Sequence, residues 1–210
     1  MYASVRFILI LAFGVCLCAA CQQNPIPTPA SSTPVIEPTA TPLPDPDIEE
    51  YAVYNALLEA EFKGDDIDQI LIIDHTQVSS AKLIEQNLAE FQEYVPLSPE
   101  MIASFKERNN QSYLINPVLD FGVKYQLLTQ EEVDELRSED EASGWTLLYD
   151  KYPNAYGFVY LSRVGFNADF SQALVFMSTF HYERLMEGEY YLMIKQDGRW
   201  VIEASYGFQS

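Results

Sequence analysis

Cysteine is confined to the extreme N-terminus, where Cys16, Cys18 and Cys21 are the three in the chain. A domain folded from later residues therefore has no disulfide, thiolate metal centre or cysteine nucleophile. Histidine is nearly as scarce: only His75 and His181 occur, which leaves a transition-metal site little to build on. No Gly-x-Ser-x-Gly elbow presents a serine nucleophile, and no glycine-rich loop is present to cradle a phosphate. Positive charge is in short supply too, with 12 Lys and Arg against 31 Asp and Glu and a formal net charge of −19. Such a surface repels nucleic-acid phosphates and anionic headgroups, and excludes nucleic acid as a partner. No metal and no cofactor is expected.

The N-terminus has the pattern of a targeting segment. Arg6 precedes an apolar stretch from Phe7 to Cys18, followed by Ala19-Ala20-Cys21. A charged residue, a hydrophobic core and a small-residue cleavage site stand in the order of a signal peptide. The stretch is short of the roughly twenty apolar residues a membrane span needs. Leu17-Cys18-Ala19-Ala20-Cys21 resembles the lipobox of bacterial lipoprotein precursors, with Cys18 where that pattern prefers Leu. The resemblance implies cleavage before Cys21 and a diacylglyceryl anchor on its thiol. It places the protein on the cell membrane or outer membrane, facing away from the cytoplasm. Two acyl chains suffice for stable attachment. Cleavage there removes Arg6 and no acid, leaving 11 basic and 31 acidic residues. An ordinary signal peptide with a free secreted product is the alternative.

Residues 21–47 form a linker. Eight of the twelve prolines, from Pro25 to Pro46, fall there among Thr, Ser and Ala. Proline removes backbone donors and drives its neighbours to extended geometry, so the segment acts as a spacer.

A single domain is expected over 48–210. Asp47 and Glu50 have the spacing of a capping box, and Ile48, Tyr51, Tyr54, Leu57, Leu58 and Phe62 give a helix over 48–63 that ends at Gly64. Ile70-Leu71-Ile72-Ile73 reads as a buried strand. Ser79 or Ser80 opens a helix with Leu83, Ile84, Leu88 and Phe91 on one face, and Ser98-Pro99-Glu100 opens another with Met101, Ile102 and Phe105. A strand near 123–128 precedes a Thr129–Glu132 capping box and a short helix. Acidic 138–143 reads as a solvated loop, and Trp145, Leu148, Tyr149 and Tyr152 as further helical turns. Alternation from Tyr156 to Phe166 reads as a strand. Strands at 172–180, 189–195 and 199–205 follow, the last two joined by an Asp197-Gly198 hairpin turn. The expectation is an α+β fold, with N-terminal helices packed on one face of a four-stranded antiparallel C-terminal meander.

Within residues 145–204, Gly165-Phe166-Asn167, Gln172-Ala173-Leu174-Val175, Gly188-Glu189-Tyr190-Tyr191-Leu192 and Asp197-Gly198-Arg199-Trp200 resemble a group of bacterial lipoproteins that share no known activity. The resemblance implies a cystatin-like or nuclear transport factor two-like architecture, in which a curved sheet wraps around helices.

Candidate sites are few. Asp74 and His75 end the Ile-rich strand and could serve as an acid–base pair, although neighbours on a strand point to opposite faces. His181-Tyr182-Glu183 lacks the second histidine of a zinc-protease helix. Asp65, Asp66 and Asp68, and Glu139, Asp140 and Glu141, offer oxygen ligands without the spacing of a calcium loop. Tyr156, Tyr160, Tyr190, Tyr191 and Trp200 could line a concave binding face, with core filling as the alternative. The ligand-binding candidates are thus His75, Tyr156, Tyr160, Tyr190 and Trp200. Together these features favour a non-enzymatic surface domain that binds a small ligand, a glycan or a protein partner. An envelope enzyme or accessory factor using Asp74 or His75, and a purely structural envelope component, are the alternatives.

Overall fold

A computed structural model describes residues 3–7, 45–64, 67–136, 141–181 and 184–209. The lipobox, nearly all of the linker, Asp65, Asp66, Glu139, Asp140, Tyr182 and Glu183 lie outside them. In chain order the elements are β1 (Ala3–Phe7), α1 (Pro46–Phe62), β2 (Gln69–Ile73), α2 (Ala81–Gln92), α3 (Pro99–Arg108) and β3 (Lys124–Leu128). They continue with α4 (Gln130–Leu136), α5 (Glu141–Lys151), β4 (Ala155–Leu161), β5 (Gly165–Phe166), β6 (Gln172–His181), β7 (Arg184–Gln196) and β8 (Arg199–Gln209).

Local chemistry sets most of the helix starts. Ser80 Oγ accepts from the Leu83 amide at 3.3 Å, and Ser98 Oγ from the Met101 amide at 3.1 Å, with Pro99 in the first turn. Thr129 and Glu132 form a reciprocal capping box: the Thr129 amide donates to Glu132 Oε2 at 2.9 Å, and the Glu132 amide to Thr129 Oγ1 at 3.2 Å. The start of α1 differs from expectation. Asp45 is its cap, accepting from the Asp47 amide at 2.9 Å, which leaves Asp47 and Glu50 for other work. On α2, Leu83 is exposed while Ile84, Leu88 and Phe91 are buried.

The fold is α+β, but the sheet is not the four-stranded antiparallel meander expected. Its strand order is β1-β8-β7-β6-β4-β2-β3, with β5 pairing β6. The β6-β7-β8 meander is antiparallel, and Asp197 and Gly198 turn it at φ +50° and +78°, as a type I′ turn requires. At the other end β2 runs parallel to both β3 and β4. Parallel strands need crossovers, and the helices between β2, β3 and β4 supply them.

The helices also occupy both faces of the sheet rather than one. Val53, Tyr54, Leu57 and Leu58 of α1 cluster with Ile70, Ile72, Val159 and Val175. The neighbouring strand residues point the other way. Leu174 and Phe176 meet Phe91 of α2 and Phe105 of α3, while Leu71, Ile73 and Phe158 meet Val133 of α4 and Leu148 of α5. This explains the unbroken Ile70–Ile73 run, because a strand covered on both faces needs no polar alternation.

Two irregularities reassign side chains. The β2–β4 register shifts between Gln69 and Leu71, so that Tyr156 packs with the α1 cluster and Tyr160 with the α4–α5 cluster. A second shift, at Leu192/Met193, sets Trp200 and Ile202 on the α1 face and Ala204 and Tyr206 on the α2–α3 face.

The strand expected over 156–166 is broken at Ser162-Arg163-Val164, between β4 and β5. Buried side chains take over the backbone bonds of this gap. Tyr54 Oη donates to the Ser162 carbonyl at 2.7 Å, and Asn109 accepts from the Arg163 amide at 2.8 Å and donates to its carbonyl at 2.9 Å. Glu50 Oε1 accepts from the Val164 amide at 2.7 Å. The backbone groups of the gap are thereby satisfied, the Arg163 carbonyl also accepting from Ser162 Oγ at 2.9 Å. Beside the gap, Gly165 touches α3 so closely that an added Cβ would lie 2.4 Å from the Phe105 amide nitrogen.

Candidate functional groove

The gap carries Arg163 to the end of α1. Its Nε donates to both carboxylate oxygens of Glu50 at 2.9 Å, and Nη2 to Asp47 Oδ1 at 2.5 Å. Arg108, at the end of α3, reaches the same two acids at 3.0 and 3.3 Å. The Tyr113 ring covers the Arg163 guanidinium at 4.3 Å, within cation–π range. Two cations and two carboxylates thus balance at the junction of α1, α3 and the β4–β5 gap.

Burial tunes the groups. Partial burial alone would raise the Asp47 carboxyl, but hydrogen bonds and charge from Arg108 and Arg163 outweigh it and hold the carboxyl below its usual range. Burial would lower the Arg163 guanidinium, yet bonds to Glu50 and Asp47 raise it, so it stays charged. Burial and the Glu50 charge push the Tyr54 phenol well up, which keeps it a hydrogen-bond donor.

Over this network lies an open groove of about 630 Å³. Its lining brings together Asp47 and Arg108 of this network, Glu100, Glu107 and Asn110 on or just after α3, and Phe166 and Phe170. Phe170 stacks on Phe166 at 4.9 Å. A smaller cleft of about 150 Å³ adjoins it, sharing Asp47, Tyr113 and Arg163. The Nε of Arg108 is buried without an acceptor among the described residues.

The residues expected to bind ligand are not brought together. Tyr190 is 1 % exposed, wedged between Phe105 and Phe176 on the α2–α3 face. Trp200, 6 % exposed, lies on the α1 face, where its Nε1 donates to Glu49 Oε1 at 2.7 Å and Lys195 joins the same carboxylate. It ties the first turn of α1 to the last hairpin. Tyr191 is buried with it on that face. Tyr156 packs edge-on against Phe62 at 5.2 Å, and Tyr160 sits on the α4–α5 side. These aromatics are divided among three clusters because the sheet is covered on both faces, so they form no common binding surface.

Asp74 and His75 do touch, at 2.7 Å between Oδ1 and Nδ1. β2 has ended at Ile73 and Asp74 lies in a bend, so strand alternation no longer separates them. His75 is half-exposed and is not part of the groove wall. His181 packs against Tyr156 at 4.9 Å. Among the described residues, no group of three or more His, Cys, Asp or Glu side chains is placed to hold a metal, and no helix is long and apolar enough to cross a membrane.

The groove residues escaped the reading of the sequence, though two signals pointed to them. Glu50 occupies the apolar stripe of α1 with Val53, Tyr54 and Leu57, and a buried acid needs a cation. Arg163 interrupts an apolar run in a chain with few cations. Comparison with protein-family models, with curated proteins and with solved structures found no match.

Proposed function

We propose that the chain is a surface module, tethered outside the cytoplasm by a lipid on Cys21, that binds its ligand in the groove between α1, α3 and the β5–β6 turn. The groove itself carries this reading: about 630 Å³ of open space lined by the ion-paired Asp47, Arg108 and Arg163, by Glu100 and Glu107, and by Phe170. Stacking faces and convergent polar groups held by buried partners are what a binding site requires. The lipobox-like Leu17–Cys21 segment supports the tether. Cleavage before Cys21 would also remove β1 and leave β8 at the sheet edge.

The test is retention of defined envelope fractions (glycan, lipid and small solutes) on the full chain immobilised through its anchor. A fraction held by the wild type should be released when the exposed groove residues are changed, as in Glu107→Ala with Asn110→Ala. Equal retention by that variant would put the binding site elsewhere.

A further inference from the structure

Building on the groove as the binding site, we infer that its ligand is a saccharide, and that it takes sugars carrying free amino groups in preference to acidic ones. The first argument is Phe170. Its backbone sits in the left-handed region at φ +57°, a conformation that most L-residues avoid and that Gly or Asn adopts readily. The turn holds it there: Asn167 Oδ1 accepts from the Gln172 amide at 2.9 Å, and Asp169 Oδ1 from the Ser171 amide at 3.1 Å. A large ring therefore stands where the backbone favours a small residue; it packs on Phe166 and the α1 cluster, and, half-buried, it also lines the groove. An aromatic face is what the C–H face of a sugar ring packs against.

The second argument is the mixture of polar groups that line the groove together with the ring. Beside the ion-paired Arg108 and Asp47, Asn110 both donates and accepts, and Glu100 and Glu107 accept. Sugar hydroxyls are donors and acceptors at once, and planar carboxylates and amides can engage adjacent hydroxyls in pairs. An apolar ligand would want an enclosed apolar cavity instead. A peptide would want a free strand edge, an apolar trough or unpaired arginines. Here Phe166 donates its amide to Ser104 Oγ at 3.1 Å, and both arginines are already ion-paired.

Charge sets the preference among sugars. Asp47 and Glu50 neutralise Arg108 and Arg163, so Glu100 and Glu107 leave the groove two carboxylates in excess. Uronic acids are repelled, and ammonium groups are attracted.

The experiment is calorimetric titration of the full chain in detergent with three tetrasaccharides, of glucosamine, N-acetylglucosamine and galacturonate, and with tetralysine as a peptide control. The glucosamine tetramer should bind tightest, and 0.5 M salt should weaken it toward the acetylated form. Phe170→Asn should reduce saccharide affinity at least tenfold while circular dichroism and cooperative unfolding show the fold retained, since Asn tolerates the left-handed backbone although the ring's packing on the α1 cluster is lost. Galacturonate binding as well as glucosamine, tetralysine binding as well as either, or unchanged affinity in Phe170→Asn would each overturn the inference. Failure of every saccharide would also overturn it. The groove as a binding site would then stand or fall on whether Glu107→Ala with Asn110→Ala releases a captured envelope fraction.

Discussion

Glu50 binds Arg163 twice over: its two carboxylate oxygens each accept from Arg163 Nε at 2.9 Å, and one also accepts from the amide of Val164 at 2.7 Å. A side chain from the first turns of α1 thus pins both a guanidinium and the backbone of the β4–β5 gap. Breaking such a pair strands a buried charge. Glu50→Ala should cost about 3–5 kcal/mol in urea unfolding, whereas Glu50→Leu with Arg163→Met, which removes both charges, should cost clearly less. Equal losses would mean that the backbone bond to Val164, rather than the ion pair, dominates.

Asp47 belongs to the same network but is mostly exposed. Its carboxyl is held below the usual range against the opposing effect of partial burial. A depressed carboxyl adds stability that is complete above the unfolded value near 3.9 and disappears as pH falls through the lower folded value. Asp47→Asn should therefore lower the melting temperature slightly at pH 7 and by progressively less below about pH 4. Screening limits the neutral-pH effect to under about 1 kcal/mol, smaller still in high salt. A mutant–wild-type gap that grew on acidification would contradict this assignment.

Gly165 tests packing rather than charge. It is the residue at which α3 lies directly on the sheet, and any Cβ there would meet the Phe105 backbone at 2.4 Å. Backbone cannot swing aside as a side-chain tip can, so α3 would have to move, taking Arg108 and the α3 side of the groove with it. Gly165→Ala should destabilise by about 1–3 kcal/mol or more. It should also weaken any ligand bound in the groove, where a purely local strain would leave binding intact.

These residues show where the sequence could be read and where it could not. The Ser98-Pro99 and Thr129–Glu132 helix starts and the Asp197-Gly198 turn were legible because each depends on residues within a few positions. The Ile70–Ile73 strand was visible, yet its meaning, a strand covered on both faces and paired in parallel, depends on β3 and β4 far along the chain. The aromatic face failed for the same reason: one shifted residue in each of two ladders sent Tyr156 and Trp200 away from where unbroken alternation would put them. Glu50 and Asp47 were misassigned because a capping box has the same spacing, and only the fold reveals that Asp45 caps α1 while Arg163, over a hundred positions away, claims both acids.

Anchoring can be tested without any knowledge of the ligand. Cys16 and Cys18 are poorer acceptors than Cys21 because bulky Val15 and Leu17 precede them, whereas Ala19 and Ala20 precede Cys21. Cells fed a fatty-acid probe should label the wild-type protein, and Cys21→Ser should abolish the label while Cys16→Ser and Cys18→Ser retain it. Fractionation gives a second readout. Each buried CH₂ of an acyl chain contributes about 0.8 kcal/mol, so the two chains of a diacylated cysteine hold a protein stably where one holds it marginally. The labelled protein should therefore sediment with membranes through a high-salt wash, which would strip an electrostatic attachment. Cys21→Ser should be released if cleavage proceeds at the neighbouring alanines. If it stays uncleaved, its mass should retain residues 1–20 and its label should still be absent. A Cys21→Ser protein that is cleaved, unlabelled and yet membrane-bound through high salt would overturn the lipid tether and require a contact from the folded domain itself.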